Sequence, residues 1–121
     1  MNYLLLAYAD EQQWSTLAPS ERNALNNACL AHDEMLQQSG HLLAMESLQS
    51  DSTAIYVQVR NGEVVLSDGH PAEMKKQRLR VFYINARDLN EAISVASKMP
   101  QAQRDRVEVR PMMTFDAWGS I

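Results

Sequence analysis

His32 and Asp68 are the two residues whose chemistry is sharpest in this sequence. A carboxylate that accepts a hydrogen bond from one imidazole nitrogen fixes the tautomer and makes the other nitrogen a general base near neutral pH. His32 falls on the apolar stripe of a predicted helix, where a solvated histidine is out of place, and Asp68 opens an Asp-Gly turn. The structural alternative is that His32 is a core histidine bonded to a backbone carbonyl and Asp68 caps its own turn. Cys29, on the same stripe, reads as a small core residue.

A second group reads as the lining of a polar cleft. Glu108 and Arg110 share a strand parity, as do Gln58 and Arg60. Turned inward, those faces suit a small carboxylate or phosphate. The same charges serve equally as interchain ion pairs that specify a dimer. Gly69, His70, Glu73 and Lys75 follow Asp68 in a charged segment and, with Tyr8 near the end of the first strand, complete the expected ligand contacts. Residues 64–76, VVLSDGHPAEMKK, are therefore the stretch that the other elements present. Asp68, His70, Glu73 and His41 match no dedicated metal spacing, so neither a metal nor a cofactor is expected. Lys75, Lys76, Arg78 and Arg80 read as a solvated cationic loop.

The elements that must position these residues follow from periodicity. Asn2 to Ala9 is apolar at both parities, which predicts a strand covered on both faces. Asp10 to Ser20 reads as a loop, and Ser20 as the cap of a helix whose stripe is Leu25, Ala28, Cys29, His32, Met35, Leu36 and Ser39. Gly40 ends that helix in the left-handed conformation. His41 to Leu48 is a strand candidate. Thr53 to Arg60 alternates, and Asn61-Gly62 turns it into an antiparallel partner from Glu63 to Ser67. Val81 to Ala86 is the next strand, Asp88 caps a second helix that Pro100 closes, and Val107 to Pro111 is the last strand.

This order predicts an α+β, ferredoxin-like antiparallel sheet with both helices on one face. The uncovered face calls for a second copy, hence a face-to-face homodimer. The 121 residues make a single domain, with 112–121 as a C-terminal tail. Fifteen acidic residues against 11 basic ones give net −4, which disfavours nucleic acid and anionic membranes as partners. One cysteine and no signal-peptide or membrane-spanning pattern fit the reducing cytoplasm.

Asp68-Gly69, Ala72-Glu73 and Lys75 resemble the Asp-Gly-Pro-Phe-Ala-Glu-Thr-Lys-Glu signature of the DGPF or YCII-related proteins. Ala86-Arg87-Asp88-Leu89, Glu91-Ala92, Pro100 and Val107 to Pro111 are similar to that family's second half, and Tyr3-Leu4-Leu5, Tyr8, Gly40 and Leu48 extend the likeness over nearly the whole chain. The resemblance implies a dimeric α+β barrel with a cleft near the Asp-Gly loop, in small bacterial proteins mostly of unassigned function. His70-Pro71 stands where the family has Pro-Phe, and Arg78-Leu79-Arg80 where it has Leu-Gly-Gly, so a more basic loop is expected. The leading expectation is a small-molecule-binding homodimer for a compact polar or anionic ligand. An acid/base enzyme of hydrolase or isomerase type using His32 and Asp68 is the alternative, and an accessory role in sigma-factor-linked transcription is a third. A surface patch around Phe115 and Trp118 would favour the third.

Overall fold

The computed structural model describes residues 1–68 and 76–113. Nine residues, Asn2–Asp10, form the central strand β1. Asp10 then caps a short helix α1 (Glu11–Thr16) by accepting from the Gln12 N–H at 2.9 Å. This corrects the loop expected over Asp10 to Ser20. The long helix α2 (Pro19–Gln38) starts with Pro19 in its first turn and Ala18 as cap residue, where the Glu21 carboxylate accepts from the Ala18 N–H at 3.1 Å. Ser20 is thus inside the helix rather than its cap, because proline already supplies the φ that a first helical residue needs. Gly40 leaves α2 at φ +81°, as its position requires.

Strand β2 (Leu42–Leu48) is followed by a 3-10 turn at Asp51–Thr53 and by β3 (Ile55–Arg60) and β4 (Glu63–Asp68). Strand β5 spans Gln77–Asn85, so Arg78, Leu79 and Arg80 belong to it and not to a loop. Helix α3 (Leu89–Ser97) is capped by Asp88, which accepts from the Glu91 N–H at 2.9 Å. Pro100 opens a further turn, α4 (Pro100–Arg104), instead of merely ending α3, and β6 (Arg106–Pro111) is the last element of the described residues.

Four strands pair in the order β2-β5-β1-β6, all antiparallel, which is the ferredoxin-like α+β arrangement. Register settles which parity faces the helices. Tyr3 pairs with Ile84 and Leu5 with Phe82, and these four side chains are at most 1% exposed. Leu36 of α2 and Ala92 and Ala96 of α3 join them in one core, so both helices cover the same face. Burying the large apolar members contributes roughly 1.5–3 kcal/mol each. The opposite parity, with Leu4, Leu6, Tyr8, Val81 and Tyr83, forms the second face.

Strands β3 and β4 stand apart as a two-stranded ribbon, and every residue in them is exposed. Asn61 at φ +51° and Gly62 at φ +77° make the tight turn that their dipeptide predicts. Val57 pairs with Leu66, Val59 with Val64 and Ile55 with Asp68, so one ribbon face is an unbroken apolar strip with Asp68 at its base. No helix of the described residues is long and apolar enough to cross a membrane.

Candidate functional site

A cavity of about 480 Å³ lies between α2 and the helix-facing side of the sheet, at the end where β1 runs into α1. It exists because β1 becomes small there. Ala7 and Ala9 follow Leu5 on the inward parity, and opposite them β5 carries Arg80 and Arg78 instead of apolar residues. Helices α1 and α4 supply the remaining walls, through Trp14 and Gln101 among others.

Charge enters this cavity as a pair. Arg80 Nη2 donates to Asp33 Oδ2 at 2.8 Å, with a second, longer contact of 3.4 Å from Nη1 to Oδ1. Arg80 Nε also donates to Ser47 Oγ at 3.3 Å, and the guanidinium lies 4.9 Å from the centre of the Phe82 ring. Asp33 is buried. Beside this pair, burial pushes the Cys29 thiol pKa up, opposed by the Arg80 charge. Burial also lowers the His32 pKa, opposed by the Asp33 carboxylate. At the rim Arg78 Nε donates to Glu11 Oε1 at 3.0 Å, and the Glu11 N–H donates to the Lys76 carbonyl at 3.0 Å. Lys76 is therefore tied to the fold at the edge of the cavity.

The expected site residues are distributed over three places. His32 is half-buried on α2, next to Asp33, with no hydrogen bond among the described residues. Asp68 lies on the exposed ribbon, and no hydrogen bond joins it to His32. Tyr8, Glu108 and Arg110 do come together, on the second face of the sheet. Tyr8 Oη is 3.5 Å from Glu108 Oε1, and Glu108 is ion-paired to Arg110. Arg106 stacks over Tyr8 at 4.2 Å, a contact that parity with Glu108 and Arg110 would have disclosed. Arg60 sits near the ribbon tip and, among the described residues, donates to Gln58 Oε1 at 3.2 Å. Gly69, His70, Glu73 and Lys75 lie outside the described residues, as do Phe115 and Trp118. His41 is bound between Ser39 Oγ at 2.7 Å and Glu91 Oε1 at 3.0 Å.

Asp33 and Arg80 were absent from the expected site. Asp33 follows Cys29 by four residues and precedes Leu36 by three, which places it on the flank of the buried stripe. Arg80 is in phase with Phe82 and Ile84, so a strand extended two residues backwards would have turned it inward.

The model of the YCII-related domain matches residues 1–116. The chain belongs to the YCII-related family. An uncharacterised protein of Rhizobium meliloti is similar to it, 27% identical over 117 residues that cover 95% of this chain and 94% of the relative. For a YCII-related chain, the departure at Arg78-Leu79-Arg80 now has a local meaning. Two strand residues project cations toward the helix layer, and each is met by an acid, Glu11 for Arg78 and Asp33 for Arg80.

Proposed function

We propose that this YCII-related protein binds a small polar molecule in the cavity between α2 and the sheet. What carries this reading is the cavity itself, about 480 Å³ with apolar walls and a few fixed charged groups, which is the size and chemistry of a small-ligand site. The test is an amide-resolved NMR titration of the full chain with a library of small carboxylic acids and amides. Hits must perturb Cys29, Asp33 and Gln101. Hits that perturb only other surfaces would end this reading.

A homodimer is the second reading, supported by the ribbon. Ile55, Val57, Val59, Val64 and Leu66 are each at least 63% exposed on one face of two strands that pack on little else. An isolated hairpin is marginal in water, so that strip calls for cover by another chain. The second face of the four-stranded sheet, where Leu4, Val81 and Tyr83 remain partly exposed, is the surface for the barrel-type pairing. Sedimentation velocity at micromolar concentration is the check, and a monomer there would rule it out. Acid/base catalysis needs His32 and Asp68 in one site, and no hydrogen bond joins them within one chain; it is therefore secondary to ligand binding.

A further inference from the structure

Most charges lining the cavity are already engaged. Asp33 is held by Arg80, Glu11 by Arg78 and Asp105 by Arg106, while Asp10 caps α1. Arg104, the last residue of α4, lines the cavity and has no hydrogen bond or ion pair among the described residues. One turn earlier, Gln101 lines the same cavity. Its Oε1 is buried without a partner, and its amide nitrogen reaches only the Cys29 sulfur at 3.7 Å, a weak acceptor. A buried carbonyl oxygen is costly to leave unbonded, so a site that keeps one is disposed to take a donor. Residues three apart share a helix face, so Gln101, half-buried, and Arg104, exposed, line the same side of the cavity.

We propose that Gln101 and Arg104 select the ligand, and that the ligand class is a small hydroxy acid with an apolar body. Its carboxylate pairs with Arg104, its hydroxyl donates to Gln101 Oε1, and the body lies against Trp14, Leu17 and Leu25. This rests on the cavity being the ligand site, as argued above. Rejection of analogues without the hydroxyl follows from the same geometry, because they leave the Gln101 oxygen unpaired.

The experiment titrates the isotope-labelled full chain with 2-, 3- and 4-hydroxybenzoate, benzoate and phenol, three hydroxyl spacings and two controls. One hydroxybenzoate is expected to bind about 10-fold or more tighter than benzoate. Gln101→Leu removes that preference, and Arg104→Met weakens the carboxylates by about 10-fold while leaving phenol unchanged. Equal affinity of benzoate and all three isomers for the natural chain overturns the assignment without any variant, as does a preference that survives Gln101→Leu. If phenol or benzoate perturbs the cavity amides but no hydroxyl preference exists, the pair is wrong while the ligand site stands. If none of the five perturbs them at millimolar concentration, the hydroxy-acid assignment falls, and the library titration decides the ligand site.

Discussion

The guanidinium of Arg80 reaches the carboxylate of Asp33 at 2.8 Å and thereby joins the long helix to the third strand of the main sheet. Neither residue is free to turn to water. Asp33 keeps 10% of its side-chain exposure and Arg80 26%, with Phe82 beneath it and Ser47 at its side. The pair replaces apolar packing at one end of the core and so leaves the polar cavity beside it.

Breaking this pair is expected to cost more than deleting it. Asp33→Ala strands a partly buried cation and should destabilise by about 2–3 kcal/mol, below the ~3–5 kcal/mol of a fully buried pair because Arg80 is a quarter exposed. Asp33→Leu combined with Arg80→Met should recover most of that loss, since an apolar replacement removes both desolvated charges. Urea denaturation of the two variants measures the difference.

Protonation of His32 should oppose folding. Its pKa is lowered in the folded chain, chiefly by burial, so the unfolded chain binds the proton more readily. Stability is therefore undiminished above the ordinary histidine value of about 6.5, falls as pH drops through it, and levels off below the folded value. His32→Gln should flatten that part of the stability curve, and the imidazole shift read by NMR should titrate below the ordinary histidine value. A midpoint at or above it would contradict the burial.

Gly40 isolates backbone strain. It sits at φ +81°, and a Cβ built there meets nothing within 4 Å. Gly40→Ala should cost about 1–2 kcal/mol from conformation alone, and Gly40→Asn distinctly less. Thermal unfolding of both variants separates conformation from crowding.

The ribbon strip distinguishes a dimer from a monomer by mutation. In an isolated chain Val57→Asp with Leu66→Lys changes only exposed positions and should move stability by less than about 0.5 kcal/mol. In the proposed dimer the same change should convert the sedimenting species to monomer and lower the unfolding temperature in a concentration-dependent way.

Local signals in the sequence determined the local structure. Asn61-Gly62 has to turn with positive φ, Gly40 has to end a helix, Asp88 has to cap one, and alternating valines have to form strands; each depends on neighbours a few residues away. The α+β, ferredoxin-like class followed as well, but the separation of the hairpin strands from the four-stranded sheet did not. The site was legible only in part. Period-two parity put Glu108 and Arg110 on one face without knowledge of the partner strand, and the structure brings Tyr8 to them, on the face opposite the cavity. The Asp33–Arg80 pair, 47 residues apart, needed the register of β5 and the rotation of α2 over it, and neither is written in a local window. The same holds for His32 and Asp68. Sequence put a base and an acid within the chemistry of a pair, but tertiary structure put one in the helix layer and the other on the ribbon, because the hairpin between β2 and β5 does not join the sheet.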